Sequence, residues 1–443
     1  MNKVKNRTFL ALLLVLALFT GIVLYTVQYI ENGAAWASFG SNRSVYVSGK
    51  LTRGRIVDRY GNELLENTND GRVYHPNALI RTATVHLTGD RNGNIGTSIP
   101  KKYASRLSGF DLVNGVYSLT TRGETLKLTI DAQLCADAYA ALNGKSGCVL
   151  VCNYKSGELL CCVSAPAFDP DDLPAGLETD PKYAGAYVNR ALSSVYTPGS
   201  IFKLVTTACA IDTMPDLFER EFTCEGSCEI NGQIVNCQHV HGKIKIGDAL
   251  AKSCNCAFAR LAVELGAEKL AKYAEKFGLT QPLSIGELSC AAGSFEEAKD
   301  DYTLAWSGIG QSTDLVNPMA MLRAVGAIAN GGEAAAPHLL YGETSGSRRM
   351  LSMQTANTLK EMMAYNVHAN YGDANYPGLA LCAKSGTAEV GGDAAPHAWF
   401  VGFLDDEEAP LAFVVLIENG GSGSRNAGTV ANAVLQSAVK RMK

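Results

Sequence analysis

The hydrophobic pattern begins with one long apolar segment close to the N-terminus. Residues 9–25 are apolar apart from one threonine and one glycine, and about 20 such residues can span a bilayer as a single helix. Lys3, Lys5 and Arg7 precede the segment, and positive charges of this kind stay on the cytoplasmic side. We therefore predict that residues 1–30 form a cytoplasmic stub and a membrane anchor, with the rest of the chain outside the cytoplasm.

A cleaved signal peptide is the alternative interpretation of this segment. The sequence Ala35-Trp36-Ala37 has the small-x-small form of a cleavage site. It lies well beyond the apolar segment, however, and the segment is long for the core of a signal peptide. The pattern therefore favours an anchor that stays in the mature protein and passes once through the plasma membrane.

Residues 31–124 carry short apolar pieces separated by turn residues. A strand is predicted at 44–51, and positions 56–57 supply the core of the next one. Asp58, between two arginines, is interpreted as part of a surface ion cluster. A further apolar piece lies at 83–87. The segment is predicted to be a small, irregular, β-rich pedestal domain that lifts the following domain off the membrane and has no catalytic residues of its own.

From residue 125 onward the pattern changes to longer helical and strand periods. Helices are predicted at 132–142, 204–211, 246–278, 318–330 and 429–442. Strands are predicted at 147–152, 158–164, 379–390, 398–404 and 410–418. Loops are predicted at the glycine-rich segment 307–311 and on the surface at 342–349 and 370–378. Two early strands and three late ones indicate a five-stranded antiparallel sheet covered by helices, with a second, all-helical lobe. Residues 125–443 are thus predicted to be one large α+β domain.

The segment 197–203 offers the first candidate chemistry. Pro198 and Gly199 predict a turn, and Ser200 is placed to open the helix that follows. Ser200 and Lys203 are three residues apart and share one helix face. Because the helix is apolar on all sides, Lys203 is predicted to be buried, which lowers the pKa of its amine and lets it take a proton from a hydroxyl. The sequence therefore predicts an activated serine nucleophile.

The spacing Ser-x-x-Lys is weak by itself, because it occurs three times in the chain. Ser98 and Lys101 enclose a proline and are predicted to lie in a loop. Ser437 and Lys440 lie near the end of the sequence, where the lysine suits a helix C-terminus. Only Ser200 combines a turn, a helix start and a buried continuation.

Two further motifs offer the groups that a serine nucleophile requires. Ser253-Cys254-Asn255 lies at a predicted break between helices, where a hydroxyl and an amide can point into a cleft. Lys384-Ser385-Gly386-Thr387 lies on a predicted strand, and Gly386 would let a ligand backbone approach closely. An exposed Lys384 is expected to attract a substrate carboxylate. The backbone N–H groups of Ser200 and Thr387 are candidates for an oxyanion hole.

These motifs also have copies elsewhere in the chain. Ser-x-Asn recurs at 424–426, and Lys-Ser-Gly recurs at 145–147 and 155–157, where hairpin turns explain it. Only the set that begins at Ser200, Ser253 and Lys384 runs in this order and falls on a helix, a loop and a strand. The ordered set is a much stronger signal for function than any of its members.

Charge and cysteine content narrow the function further. The formal net charge is -4 and no basic tract is present, which argues against nucleic acid as a partner. The 13 cysteines are an odd number, so at least one thiol has no disulfide partner within the chain. One cluster contains Cys224, Cys228, Cys237, His239 and His241. Zinc binding, a Cys224–Cys237 disulfide and reduced thiols are all compatible with it. Its spacing fits no standard zinc pattern, so no metal and no cofactor are predicted.

The chain resembles the class B penicillin-binding proteins, which are monofunctional peptidoglycan transpeptidases. The three motifs match in order, and further segments resemble recurrent family segments: 53–61, Ser164–Pro170, Gly308–Gln311 and Ala398–Gly402. A cysteine inside Ser-x-Asn is also familiar in this family. The resemblance covers nearly the whole chain and implies a penicillin-binding transpeptidase fold. The region before residue 125 is too short for a glycosyltransferase, which argues against the bifunctional class A.

The resemblance also implies roles for the site residues. Ser200 would attack the penultimate D-Ala carbonyl of a stem peptide, with Lys203 as the base. Ser253 and Asn255 would relay protons and hold the peptide amide, while Lys384, Ser385 and Thr387 would bind the terminal carboxylate. β-Lactams would acylate the same serine. The expected partners are peptidoglycan stem peptides, the membrane and a multi-spanning peptidoglycan glycosyltransferase.

Two other functions are compatible with the same motifs. In a D,D-carboxypeptidase or a β-lactamase, water would accept the acyl group, and the anchor together with segment 53–61 argues against this. A non-catalytic β-lactam sensor or scaffold is the other alternative. A sensor would need a cytoplasmic output, and only about eight residues precede the apolar segment.

Overall fold

The computed structural model describes residues 2–37, 54–68, 71–108, 123–296, 298–343 and 346–442. Its first part contains a long helix, four short strands and three shorter helices: α1 (Asn2–Ala37), β1 (Arg55–Val57), β2 (Glu63–Thr68), β3 (Gly71–Tyr74), α2 (Ala78–Thr88), α3 (Ile99–Lys102), α4 (Ala104–Ser108) and β4 (Thr125–Lys127). The predicted strand at 44–51 lies outside the described residues. Within α1, the span Val4–Gly33 is long and apolar enough to cross a membrane, and its most apolar 18-residue window is not buried.

The four short strands form a sheet in the order β3-β2-β1-β4, in which β1 and β4 run parallel. Because β4 follows residue 124, this sheet takes strands from both sides of the predicted domain boundary. The apolar piece 83–87 was predicted as part of a β-rich region, and the structure places it in α2 instead. Asn77 caps this helix, since its side chain accepts hydrogen bonds from the amides of Leu79 and Ile80.

Asp58 is buried, so its interpretation as part of a surface ion cluster is wrong. Its side chain is 1% exposed. Oδ1 accepts hydrogen bonds from the amides of Tyr60 and Asn62, both at 2.9 Å, and Oδ2 lies 3.4 Å from the amide of Ala132. The carboxylate therefore fixes the turn after β1 and connects it to the helix that begins at Ala132.

The second part of the chain carries the helical segments and hairpins around the candidate motifs. Its elements are α5 (Ala132–Leu142), β5 (Gly147–Asn153), β6 (Leu159–Ala165), α6 (Arg190–Ser193), α7 (Lys203–Thr213), β7 (Phe222–Cys224), β8 (Ser227–Ile230), β9 (Gln233–Asn236), β10 (Gly242–Ile244), α8 (Ile246–Ala251), α9 (Asn255–Leu265) and α10 (Ala267–Lys276).

The last part completes the sheet. Its elements are β11 (Leu283–Ile285), β12 (Leu288–Cys290), α11 (Asp301–Ile309), α12 (Pro318–Ala329), β13 (Glu333–Ala335), β14 (Ser347–Arg349), α13 (Met353–Asn366), β15 (Leu381–Ala388), β16 (His397–Leu404), β17 (Leu411–Ile417) and α14 (Gly428–Met442).

The central sheet has five antiparallel strands in the order β15-β16-β17-β5-β6. The predicted α+β fold, with its apolar N-terminal helix and its sheet assembled from both ends of the domain, is confirmed. Gly326 of α12 lies against Ala412, whereas Gly428 at the start of α14 lies against Phe400. Ala412 pairs with Phe403, so their side chains lie on the same face of the sheet. Phe400 is three positions from Phe403 on the same strand, so its side chain lies on the opposite face. The two helices therefore cover opposite faces of the sheet.

The helices α7, α9, α10 and α11 pack together, and the 3₁₀ turn at 199–202 that precedes α7 lies against the edge strand β15. This is the predicted helical lobe, and it carries the candidate nucleophile. Two predicted loops differ from the structure. Most of the segment 307–311 belongs to the C-terminal end of α11, and the segment 370–378 contains short helical turns with a buried tyrosine, Tyr371.

Candidate active site

The turn before α7 places Ser200 between the helical lobe and the edge of the sheet. Ser200 lies in a 3₁₀ turn, Gly199–Phe202, and is half-buried. Gly199 adopts a φ of 56°, which favours glycine, and its amide donates to the Gly310 carbonyl at 2.7 Å. A side chain on Gly310 would place its Cβ 2.0 Å from the Gly199 oxygen. The glycine-rich end of α11 therefore supports the serine turn from behind.

Lys203 is fully buried at the start of α7, and its side-chain amine lies within hydrogen-bonding distance of Ser200, Ser253 and Asn255. Its Nζ lies 3.1 Å from Ser200 Oγ, 2.8 Å from the Ser253 carbonyl oxygen and 2.8 Å from Asn255 Oδ1. A neutral amine has two N–H donors and one lone pair. The carbonyl and amide oxygens can accept the two donors, which leaves the lone pair for a hydroxyl, and Ser200 Oγ at 3.1 Å is slightly nearer than Ser253 Oγ at 3.2 Å.

Burial lowers the pKa of Lys203 to about 7. Desolvation disfavours the ammonium form, because the charge loses its hydration when the side chain is enclosed. A lysine with an ordinary pKa would be almost entirely protonated near neutral pH and could not accept a proton. At this position a substantial fraction is neutral, which is the state that a general base requires.

The segment 253–255 lies at the break between α8 and α9, as predicted. Ser253 has a φ of 53°, an uncommon conformation for a residue other than glycine. Asn255 opens α9, and its Nδ2 donates to the Asn236 carbonyl at 3.0 Å. This bond orients the amide so that Oδ1 faces Lys203.

Lys384 is buried rather than exposed, so the expectation of an exposed cation for a carboxylate is wrong. Its side chain has no exposed surface, and Nζ lies 3.1 Å from Ser253 Oγ and 2.8 Å from the Ser385 carbonyl. Lys203 Nζ is 3.2 Å from the same hydroxyl. Burial, followed by repulsion from Lys203, lowers the pKa of Lys384. The Ser253 hydroxyl therefore bridges two amines.

The remaining residues of the strand motif lie against the serine turn. A side chain on Gly386 would place its Cβ 2.9 Å from the Pro198 oxygen and 3.1 Å from Ile201 Cγ2. The missing side chain thus makes room for the protein's own turn rather than for a ligand. Ser385 and Thr387 are half-buried on alternate positions of the same strand, so their side chains share one face.

Tyr371 orients Ser385, and no sequence motif indicates it. The tyrosine hydroxyl accepts a hydrogen bond from the Ser385 amide at 2.7 Å and donates to Ser385 Oγ at 2.8 Å. Only 8% of Tyr371 is exposed. The segment 370–378 contains two tyrosines, Tyr371 and Tyr376, within mostly polar and turn-forming residues, and no periodicity indicates which of them faces the site.

A group of metal-binding side chains lies directly beside Ser253 and Asn255. Cys224, Cys237, His241 and Cys254 bring their sulfur and nitrogen atoms within 4.8 Å of one another. Two members of the cluster considered in the sequence, Cys228 and His239, are not in this group, and Cys254 was not recognised as a member. Each of the 13 cysteines is free, so the alternative of a Cys224–Cys237 disulfide is not what the structure contains.

Comparisons with known proteins identify the family. The penicillin binding protein transpeptidase domain matches residues 147–439, more than half of the chain, and the protein therefore belongs to the penicillin-binding protein transpeptidases. Within that family it is a class B penicillin-binding protein, as the relatives below also indicate.

Curated relatives and solved structures agree with this assignment. The peptidoglycan D,D-transpeptidase PbpA of Mycobacterium tuberculosis is 28% identical over 377 residues, which is 76% of each chain. The probable peptidoglycan D,D-transpeptidase FtsI of Caulobacter vibrioides is 30% identical over 249 residues, 54% of this chain and 41% of that protein. A ceftriaxone acyl-enzyme complex of penicillin-binding protein A from M. tuberculosis superposes with a TM-score of 0.78 at 26% identity, covering 88% of this chain and 98% of the other.

Replacing Tyr371 with phenylalanine is expected to weaken both the fold and the site. The Ser385 amide would lose its buried acceptor, which costs about 1–3 kcal/mol in the free energy of unfolding. Because Ser385 would also lose its orientation, we expect acylation by a fluorescent penicillin to slow by about tenfold, or about 1.4 kcal/mol. Denaturant unfolding measures the change in stability, and a time course of labelling by the fluorescent penicillin measures the acylation rate.

Tyr365→Phe is the matched control for this prediction. Tyr365 lies on α13, is 44% exposed and donates to Asp248 at 2.7 Å. A surface substitution of this kind should change stability by no more than about 0.5 kcal/mol. Equal effects of the two substitutions would contradict a role for Tyr371 in orienting Ser385.

Proposed function

We propose that this protein is a peptidoglycan D,D-transpeptidase that cross-links stem peptides through an acyl-enzyme on Ser200. The observation that carries the proposal is the contact between Ser200 Oγ and a buried, partly neutral Lys203 amine. The family assignment and the names of the relatives, peptidoglycan D,D-transpeptidases, support the same reaction.

In the first half of the reaction, Ser200 Oγ attacks the carbonyl carbon of the penultimate D-Ala. Its proton passes to the lone pair of Lys203. An ester forms between Ser200 Oγ and the carbonyl carbon of the penultimate D-Ala, and the bond from that carbon to the nitrogen of the terminal D-Ala breaks. The leaving nitrogen needs a proton, and the Ser253 hydroxyl, which bridges Lys203 and Lys384, provides a route for it. The terminal D-Ala then departs as a free amino acid.

In the second half, the amine of another stem peptide attacks the ester carbonyl. The amine loses a proton, Ser200 recovers one, and the new peptide bond is the cross-link. Asn255 is suited to hold the donor's amide, and the half-exposed hydroxyls of Ser385 and Thr387 are suited to bind its carboxylate. Since Lys384 is buried, its contribution to the carboxylate site is through Ser253 and the electrostatic field rather than by direct contact.

β-Lactams would enter the same reaction and stop after its first half. Their amide bond would be opened by Ser200, and the acyl-enzyme would persist because no acceptor amine releases it. The relative from M. tuberculosis, solved as ceftriaxone, imipenem and penicillin G acyl-enzyme complexes, supports this expectation.

The helix α1 supports a membrane location for the reaction. We place the N-terminus in the cytoplasm, because Lys5 and Arg7 precede the apolar span, and the catalytic residues on the other side, where peptidoglycan is assembled. Transpeptidation needs freshly polymerised glycan, so the proposed partner is a multi-spanning peptidoglycan glycosyltransferase. The anchor and the small sheet that follows it are the proposed docking surfaces.

An acceptor assay tests the proposed reaction against hydrolysis. The full-length protein in detergent is incubated with a D-Ala-D-Ala pentapeptide analogue and a peptide amine acceptor, and the products are resolved by mass spectrometry. We expect free D-Ala together with the donor–acceptor amide. Free D-Ala and free tetrapeptide without the donor–acceptor amide would show a carboxypeptidase instead. The variant Ser200→Ala should give neither product, which controls for contaminating enzymes.

A further inference from the structure

The four-residue group beside the active site comes from three separate pieces of backbone. Cys224 ends β7, Cys237 follows β9, and His241 precedes β10. Cys254 is the residue between Ser253 and Asn255 and immediately precedes α9. Because β7 pairs with β10 and this pair encloses the β8–β9 hairpin along the chain, the ligand atoms are gathered where these two small strand pairs meet the start of a helix.

We infer that Cys224, Cys237, Cys254 and His241 form a Zn²⁺ site with three thiolate ligands and one imidazole ligand. This ligand set is one of the standard structural zinc sets. The inference does not depend on the transpeptidase reaction, because metal content can be measured without substrate.

The distances fit a single tetrahedral ion. With Zn–S of about 2.3 Å and Zn–N of about 2.0–2.1 Å, ligand atoms in a tetrahedron lie about 3.5–3.8 Å apart. In the structure, Cys237 Sγ is 3.6 Å from His241 Nδ1 and 4.0 Å from Cys254 Sγ, and no pair in the group exceeds 4.8 Å. Contraction of the most separated pair by at most about 1.0–1.3 Å would complete the coordination sphere. The space is too small for an iron–sulfur cluster.

Burial and hydrogen bonding also favour an ion at this position. Cys224 and Cys254 have no exposed surface, while Cys237 and His241 are half-buried, which leaves a path for the metal. The backbone N–H of Asn255 lies 3.2 Å from Cys237 Sγ and donates a hydrogen bond to it. Such a contact stabilises a metal-bound thiolate.

Zn²⁺ binds the thiolate form of each cysteine, so a ligand thiol that is still protonated releases its proton to the solvent, and no oxidant or reductant takes part. Three thiolates and one neutral imidazole around Zn²⁺ leave one negative charge on the site. Thiolate sulfur and imidazole nitrogen together favour Zn²⁺ over Mg²⁺ and Ca²⁺, which prefer oxygen ligands.

The ion would fasten the active-site motif to the hairpins. Cys254 lies between the two residues that contact Lys203, and Asn255 is tied to Cys237 through its amide and to Asn236 through its side chain. A tetrahedral ion bonded to Cys254 would fix the strained backbone at Ser253. We therefore assign the four ligands as positioning residues, and none of them touches the reacting atoms.

Metal analysis of the full-length protein tests the inference. The protein is purified in detergent without added metal or chelator, and inductively coupled plasma mass spectrometry is expected to find about one zinc per chain. Cys237→Ser and His241→Ala should lower zinc affinity by at least about tenfold. Cys228→Ser, a buried cysteine of the same hairpins that lies outside the group, should retain zinc and normal penicillin labelling.

Substitution with cobalt keeps the test valid if a ligand variant does not fold. Wild-type protein stripped of zinc and loaded with Co²⁺ should show the visible absorption of tetrahedral thiolate coordination. Folded, penicillin-reactive wild-type protein that binds no zinc under reducing conditions would overturn the inference. So would undiminished zinc in both ligand variants, or an intact mass lacking a pair of hydrogen atoms, which would show a disulfide in place of the metal.

Discussion

Replacing Ser200 with alanine is expected to remove all covalent labelling by a fluorescent penicillin. The substitution deletes the oxygen that forms the ester, and loss of a serine nucleophile lowers the rate by a factor on the order of 10⁶. Ser200 is half-buried, and its side chain contacts Lys203 rather than the apolar core. The variant should therefore fold, with a melting temperature close to that of the wild type. Gel fluorescence and mass spectrometry of the protein measure the adduct.

The chain supplies a matched control for this experiment. Ser437 also precedes a lysine by three residues, but it lies on α14 and donates to Asp137 at 2.5 Å, outside the candidate site. Ser437→Ala should label as the wild type does. Persistent labelling of Ser200→Ala, or an adduct found on another residue, would disprove the assignment of Ser200 as the nucleophile.

Replacing Lys203 is expected to have the second largest effect. A positioned general base contributes about 10²–10⁴-fold, so Lys203→Ala should slow acylation by that factor. Lys203→Arg should not restore the rate, because a guanidinium remains charged and cannot accept a proton. Lys155→Ala is the control, since Lys155 is exposed and pairs only with Glu407 among the described ion pairs.

The pH dependence of acylation provides an independent test of Lys203. The neutral amine is the active form and the pKa is lowered to about 7, so the rate should rise with pH through about 7 and then level off. Lys384 faces the amine from β15, and Cys237, Cys254 and Cys256 face it from around α9. The negative charge of these thiols opposes the effect of burial and raises the pKa of the amine, but burial is the larger effect.

Two results would contradict the role of Lys203 as base. The first is a rate for Lys203→Arg within about tenfold of the wild type, since the general-base contribution is at least 10². The second is an unchanged pH midpoint in a Lys203 variant that still acylates. Melting temperatures measured across the same pH range separate a change in rate from a loss of fold.

The features predicted from the sequence are those set by local pattern. Strands 147–152 and 398–404 are strongly apolar, and a short apolar run bounded by turn residues is typical of a fully buried strand. The turn at 198–199 followed by an apolar run similarly predicted a buried lysine next to Ser200. These expectations depend on burial and periodicity, which a sequence carries directly.

The features that were not predicted depend on what packs against a residue from elsewhere. Nothing near Lys384 in the sequence indicates that its amine lies against Ser253, and nothing near Tyr371 indicates that it meets Ser385. The five residues 83–87 are too few to separate a helix from a strand by periodicity. Cys254 and His241 come together through hairpin geometry that no spacing rule describes.

The pairing of β5 with β17 has a consequence for how the enzyme becomes active. These strands lie at the centre of the sheet although the whole helical lobe separates them along the chain. Contacts of such high contact order form late, because a large loop must close first. Until they form, a growing chain already carries Ser200 but has an unpaired β5 edge and no strand for Lys384. Activity should therefore appear only when the last strands join, and the nascent chain needs protection from aggregation until then.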